Sequence, residues 1–251
     1  MAKAVLVTGA AGGIGAGLVE ALSEAGWAVL GSDHPSTSPA TSIRQHCRGW
    51  IPADLATLNQ EPNQLEAFKA AVLSATESAD VMSIVHNAAL QRLGSFEQLS
   101  ASDWHETMAV NLLAPVAISR ALLPELKRQH GSIVHIGSIH SQLTKPGFTA
   151  YATSKAALAG LTRAMAVELG GSVRVNAIEP AAIATPMLEA GFAGAPELKA
   201  QLEAFHPTSA IGSPADVARA VLFLLDPANR FLNGCVLSLG GGIHSRLHDP
   251  A

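Results

Sequence analysis

Ala4-Val-Leu-Val-Thr8-Gly-Ala-Ala-Gly-Gly-Ile-Gly15 is the stretch whose reading decides the fold. Ala4–Thr8 is a short apolar run, the mark of a strand buried on both faces of a parallel sheet. Gly9, Gly12, Gly13 and Gly15 follow directly, and an amphipathic segment from Ile14 to Ala25, stopped by Gly26, reads as a helix. Such a turn lets backbone amides close around a phosphate, and the helix N-terminus adds partial positive charge. A tight structural turn would also use glycine, so the turn needs support from its neighbours. Trp27–Asp33 supplies it as a second strand ending in an acid, 18 residues past Gly15. That is near the ~20 residues expected for a carboxylate on adenosine ribose hydroxyls. A carboxylate there repels a 2′-phosphate and favours NAD over NADP. The neighbouring His34 is mostly neutral at pH 7 and does not offset it.

The rest of the chain repeats the alternation. Residues 34–48 are loop-like. Gly49–Ala53 is a third strand ending in Asp54-Leu55, where Asp54 either reaches an adenine edge or caps the next turn. Pro62–Ala75 reads as a helix and Asp80–Val85 as the fourth strand, followed by His86-Asn87-Ala88-Ala89. Asn87 there either holds the strand against its neighbour or touches a cofactor. Ser102 is expected to cap a helix, with Glu106 near the reciprocal position. That helix carries Asn111, kinks near Pro115 and continues towards Leu126. Asn111 sits among Met108, Val110, Leu112 and Leu113, so it is expected to be buried and to need partners. Gly131–Ser138 is the fifth strand and places Ser138 at its carboxyl end, where open parallel sheets bind ligands.

A helix ending at Gly170-Gly171 follows. Val173–Ile178 is the sixth strand, leading through Glu179-Pro180 to Ile183 and Thr185. Residues 186–212, rich in proline and glycine, read as an inserted flexible lid. Asp216–Leu225 is a helix capped by Ser213, and Gly234–Leu239 is the last strand. With no linker or repeat, residues 1–251 form one α/β domain, a doubly wound parallel sheet with helices on both faces and right-handed crossovers.

Tyr151-Ala-Thr-Ser-Lys155 opens the helix after Ser138. Tyr151 is the only tyrosine in the chain, and Lys155 lies four residues on, so phenol and ammonium share one helix face. A cation within ~4–6 Å lowers an acid by roughly 1–3 pH units, which brings a phenol of pKa about 10 towards neutral-pH proton transfer. Alone, the pair could be a packed tyrosine beside a solvated lysine.

Composition narrows the function class. The chain has 251 residues, 48% of them apolar and only 14% charged, with a formal net charge of −4 and no basic run. Such a surface argues against a nucleic-acid partner. Cys47 and Cys235 are too few and too distant for a disulfide framework or metal motif; both are expected to be reduced and buried in a cytoplasmic protein. The chain enters its first strand by Ala4, so no signal peptide is expected, and no apolar run is long enough to span a bilayer. His244 and His248 have i, i+4 spacing but no third ligand nearby, so no metal site is expected.

Taken together, Thr8-Gly9…Gly13-Ile14-Gly15, Asn87-Ala88, Asn111, Ser138, Tyr151-x-x-x-Lys155 and Asn176-x-Ile-x-Pro180 resemble the short-chain dehydrogenase/reductase family, in the family's order and over nearly the whole chain. The resemblance implies a seven-stranded Rossmann domain. It also implies a homo-oligomer, a tetramer or dimer, assembled through the helices that hold Asn111 and Tyr151.

It implies an NAD-dependent oxidoreductase acting on a secondary alcohol or ketone. Tyr151 is the implied acid/base, with Lys155 lowering its pKa and binding ribose, Ser138 holding the substrate oxygen, and Asn111 supporting a water relay. Gly9, Gly12, Gly13, Ile14, Gly15, Asp33, Asp54, Leu55, Asn87, Ala88, Ala89, Tyr151, Lys155, Pro180, Ile183 and Thr185 form the implied cofactor surface.

Ala89 and Ala181 stand where the family usually has glycine. They open the alternative of a catalytically weak or inactive nucleotide-binding member of the fold. An epimerase or dehydratase reading lacks the longer C-terminal substrate region it would need. Gln91, His140, Phe148 and Met187, with Gln142, Leu188 and Phe192, are the substrate-pocket candidates. They offer no charge clamp apart from Arg92, which points to a small neutral hydroxylated substrate; its identity and the direction of reaction lie beyond the sequence.

Overall fold

The computed structural model describes residues 3–76 and 80–247. Strands β1 (Lys3–Thr8), β2 (Ala28–Ser32), β3 (Cys47–Trp50), β4 (Asp80–His86), β5 (Ser132–Ile136), β6 (Arg174–Pro180) and β7 (Val236–Leu239) form one sheet. Their order is β3-β2-β1-β4-β5-β6-β7, and every neighbouring pair is parallel. The chain winds outward from β1 to β3, then returns to β4 on the other side of β1. Strand order therefore reverses between β1 and β4, and a crevice opens at their carboxyl ends.

The helices are α1 (Gly13–Glu24), α2 (Thr41–Arg44), α3 (Pro62–Thr76), α4 (Ala101–Met108), α5 (Ala114–Ala121), α6 (Leu123–Arg128), α7 (Thr149–Leu169), α8 (Pro186–Gly191), α9 (Pro196–Phe205) and α10 (Pro214–Leu225). They cover both faces of the sheet, so β1 carries no polar alternation: Val5 and Val7 join one core and Leu6 the other. The first core packs Leu18, Val19 and Leu22 of α1 and Val217, Val221 and Leu224 of α10. The second packs Phe68 and Val72 of α3, Ala114 and Ile118 of α5, and Leu126 of α6. Each large aliphatic side chain removed from water here contributes roughly 1.5–3 kcal/mol.

Several boundaries differ from the sequence reading. β3 starts two residues before Gly49, and a short helix occupies Thr41–Arg44 within the stretch expected to be loop. The cap of α4 is Ser100, not Ser102. Asp103 lies three residues after Ser100 and completes the reciprocal pair, accepting from Ser100 N at 2.9 Å while Ser100 Oγ accepts from Asp103 N at 3.2 Å. Ser102 and Glu106 are four apart and face each other along the helix side instead. The irregularity expected near Pro115 is a π-turn over Ala109–Leu113, just before the proline, which stands in the first turn of α5. Residues 186–212 hold the helices α8 and α9 rather than open loop. Ser213 caps α10 as expected, in a capping box with Asp216. Both cysteines are free; Cys47 is buried and Cys235 half-buried.

Candidate active site

The glycine turn sits at the carboxyl end of β1. Gly9 has φ +64°, and a Cβ there would lie 2.7 Å from Ala88 Cα. A Cβ on Gly15 would lie 1.9 Å from Gly9 O, so only hydrogen lets the first turn of α1 fold back onto the strand end. Gly12 is different: its nearest neighbour would be Gly9 O at 3.5 Å, and its position is open. On Gly13, a Cβ would meet Thr185 at 2.7 Å, which brings the segment after β6 onto the turn. Thr185 caps α8 by accepting from Leu188 N, and Ile183 is buried below it.

Asn87 staples this region. Its side-chain amide donates to Thr8 O at 3.0 Å and Gly9 O at 2.9 Å, and Thr8 Oγ1 accepts from the backbone of both Asn87 and Ala88. Of its two readings from sequence, the structure supports the one that holds the strands together. Asp33 lies at the end of β2, with Oδ2 accepting from Ala11 N at 2.9 Å and Oδ1 from His34 N at 2.8 Å. The acid and the glycine turn are thus one unit. Asp54 Oδ1 accepts from Ala56 N at 2.9 Å and caps its own turn, beside buried Leu55. This surface fits a dinucleotide: an open glycine at a helix N-terminus for phosphate, and a carboxyl fixed at the end of the neighbouring strand for ribose hydroxyls.

Ala89 and Ala181 do not strain the backbone. Among the described residues, the non-glycines with positive φ are His130 and Ser209 alone. Ala181 N donates to Leu239 O at 3.0 Å. Its methyl is accommodated because residue 240 is glycine; a Cβ there would lie 3.1 Å from it.

The second group lies beyond β5. Ser138 is buried and caps a short 3-10 turn, Ile139–Ser141, by accepting from His140 N at 3.2 Å. Its hydroxyl lies near enough to the Tyr151 phenol to favour the phenolate. Lys155 is 2% exposed, its Nζ donates to Ile136 O at 2.8 Å, and it stands 5.6 Å from the Tyr151 ring centroid. Tyr151, Ser138 and Lys155 are therefore brought together as the sequence predicts.

Their titration is not as predicted. Burial pushes the Tyr151 phenol above its ordinary value, and the Ser138 hydroxyl opposes this only in part. Burial also lowers the Lys155 ammonium to about 8. Desolvation is the largest influence on each group.

Asn111 occupies the π-turn. Its amide donates to Leu90 O and Ser154 Oγ, each at 2.9 Å, and its Oδ1 accepts from Leu90 N at 2.7 Å. Both amide protons are used, so the side chain ties α7 to the segment after β4. A π-turn is a frequent device for aiming one residue inward at a functional site, and no sequence signal marked it.

Around Tyr151, His140 stacks on Phe148 with ring centroids 4.3 Å apart, and both present edges to Tyr151 at 5.7 and 6.3 Å. They form one wall. Gln91 is exposed on the segment after β4, and Met187 lies in α8. Arg92 is no substrate clamp, because it pairs with Glu106 at 2.7 Å. The sequence reading passed over Glu179, which is fully buried on β6 beside this wall. It also passed over His86 and His135, neighbours in β4 and β5 whose buried rings lie 5.4 Å apart behind Lys155. His244 rests over Gly240, and His248 lies outside the described residues; among the described residues no cluster could hold a metal.

Residues 9–244 match the family model described as Enoyl-(Acyl carrier protein) reductase. The chain is 34% identical over 244 residues to an uncharacterised oxidoreductase of Schizosaccharomyces pombe, covering 96% of this chain and 90% of that protein. It is 32% identical to the 3-oxoacyl-(acyl-carrier-protein) reductase of Thermotoga maritima, over 96% of this chain and 97% of that one. Ligand-free aldohexose dehydrogenase of Thermoplasma acidophilum superposes with a TM-score of 0.86 at 28% identity, over 100% of this chain and 97% of that one.

Proposed function

The chain belongs to the short-chain dehydrogenase/reductase family of oxidoreductases, and from that premise we propose that it moves a hydride between NAD and a secondary alcohol or ketone of small, neutral, hydroxylated character. The observation that carries the proposal is the group beyond β5, with Ser138 and Lys155 buried and Tyr151 half-buried beside them, at the same carboxyl edge of the sheet as the glycine turn.

When bound, the dinucleotide supplies the hydride donor or acceptor and, in its oxidised form, a positive charge. Ser138 holds the substrate oxygen and Tyr151 exchanges a proton with it. Because burial keeps the phenol protonated, Tyr151 is ready to donate in the reducing direction. In the oxidising direction the phenolate needs cationic support, which Lys155 provides from the buried side. Asn111 positions α7 by bonding Ser154, one residue before Lys155. The Asp33 carboxyl and the lack of a Lys or Arg next to it favour NAD over NADP. Proton transfer accounts for only ~10²–10⁴ of the rate, so orientation and fixed dipoles supply most of the rest.

Assembly as a dimer or tetramer through α7 and the helical segment that carries Asn111, from α4 through the π-turn into α5, belongs to the same proposal. It is supported by the outward side of α7, where Val167 is 85% exposed. Among the described residues no helix is long and apolar enough to cross a membrane, and we propose a cytoplasmic location.

The deciding experiment is Tyr151→Phe, assayed with NAD(H) across alcohols and ketones. Turnover falls at least ~10²-fold while NADH still binds. Unchanged turnover overturns the assignment. NADH binding without turnover by the wild type on any substrate would point instead to the inactive nucleotide-binding alternative.

A further inference from the structure

Glu179 is a carboxyl group with no exposed surface, placed one residue before the end of β6. Gly137 N donates to Ile178 O at 2.7 Å, which sets Glu179 beside the residue that precedes Ser138. A Cβ built on Gly137 would lie 3.0 Å from Glu179 Cγ and 3.7 Å from Oε1. Glycine at 137 therefore leaves the space that the carboxyl fills, against the backbone that carries the reacting serine.

The two carboxyl oxygens differ. Oε2 accepts from Gln142 Nε2 at 2.9 Å, whereas Oε1 is buried without a partner. A buried carboxyl oxygen left unpaired costs free energy, and native folds rarely keep one without a reason. Gln142, by contrast, is an exposed side chain on the loop four residues after Ser138. Its amide is thus a displaceable donor over a fixed acceptor. His244 borders the same group, and its Nε2 is also buried without a partner.

We propose that Glu179 is a specificity-determining residue that binds a second hydroxyl of the substrate at its unpaired Oε1, reached when the Gln142 amide swings aside, so that the enzyme selects vicinal diols and their hydroxyketones over simple alcohols. A hydroxyl suits the position because it donates to an ionised carboxyl and accepts from a protonated one. This rests on the oxidoreductase function proposed above. A site built to hydrogen-bond a substrate hydroxyl discriminates strongly against the analogue that lacks it, because its own buried group is then left unpaired.

The test measures kcat/KM with NAD for matched pairs that differ by one hydroxyl: cyclohexane-1,2-diol with cyclohexanol, butane-2,3-diol with butan-2-ol, and aldohexoses with their deoxy counterparts. The wild type prefers the richer member by roughly tenfold or more, and Glu179→Gln reduces that ratio at least about tenfold. The ratio is insensitive to a general loss of active enzyme, which a merely structural role would cause. Gln142→Ala, on an exposed loop, raises the ratio by removing the competing amide, and it carries the test if Glu179→Gln does not fold. Ratios within about twofold of wild type in both variants overturn the proposal while leaving the oxidoreductase reading intact. Absence of turnover on every member by the wild type overturns both.

Discussion

Lys155 Nζ donates a 2.8 Å hydrogen bond to Ile136 O and has no exposed route to water, so the α7 ammonium is anchored to the strand that delivers Ser138. The bond fixes the position of the charge, and burial makes the charge costly.

The cost has a sign and a pH window. The Lys155 pKa is lowered to about 8 in the folded chain, from 10.5. Below pH 8 the folded state carries the full penalty of a buried ammonium. Between pH 8 and 10.5 the folded lysine loses its proton before the unfolded one does, so stability from this group rises with pH. The interval corresponds to about 3 kcal/mol, reduced by whatever the bond to Ile136 returns. Lys155→Met is therefore expected to be more stable than wild type at pH 7, with the advantage shrinking towards pH 10.5. Urea denaturation at pH 7 and pH 10 checks this; a pH-independent difference contradicts it.

His135 gives the opposite limb. Burial, with Lys155 nearby, lowers it to about 3, and His86 is held well below its ordinary value by burial and by His135. Both remain neutral in the fold where the unfolded chain would protonate them near 6.5. Stability is expected to be intact above pH 6.5 and to fall progressively towards pH 3. His135→Gln, which can still reach Thr162, should flatten the part of that decline due to His135. Equal slopes for variant and wild type in denaturation midpoint against pH would contradict the assignment.

The glycine turn separates a folding role from a binding role. Gly15→Ala places a methyl 1.9 Å from Gly9 O, and either the turn or the helix start must move. We expect a loss of several kcal/mol, in the range of severe overpacking, visible as a large drop in Tm. Gly12→Ala meets nothing closer than 3.5 Å. Its Tm should stay within a few degrees of wild type while NADH affinity falls, because the methyl occupies the space a phosphate needs.

Asp33 tests cofactor choice. Both carboxyl oxygens accept from backbone amides, so Asp33→Asn must turn an NH2 towards one of them. One hydrogen bond becomes a donor–donor conflict, with a cost of about 1–3 kcal/mol. NADH is expected to bind more tightly than NADPH to the wild type, and the preference should narrow in Asp33→Asn. Intrinsic tryptophan fluorescence titrated with each cofactor measures both. A wild-type preference for NADPH would defeat the NAD reading.

Much of the site was legible because its signals are local. Tyr151 and Lys155 are four residues apart on one helix, and the glycines sit between a strand and a helix, so chain geometry alone places them. Asp33 required only the rule that strand ends meet at one edge. Glu179 was invisible for the converse reason. It reads as the first residue of the segment leaving the sixth strand, and its importance arises only when β6 lies beside β5 and Gly137 makes room for a carboxyl. The α4 cap shifted from Ser102 to Ser100 because two serines stand close together and only one has an acid at the correct spacing.

The amino-acid order by itself determined the parallel α/β architecture, the nucleotide turn and the serine, tyrosine and lysine set, since apolar runs, glycines and helical spacing act over a few residues. Tertiary packing decided what those residues experience. It raised the Tyr151 pKa and lowered that of Lys155, committed Asn111 and Asn87 to tying segments together, paired Arg92 away from the crevice and left one Glu179 oxygen without a partner. The physical reason is that desolvation and hydrogen-bond satisfaction depend on every element packed around a group, and those neighbours come from parts of the chain that no local pattern connects.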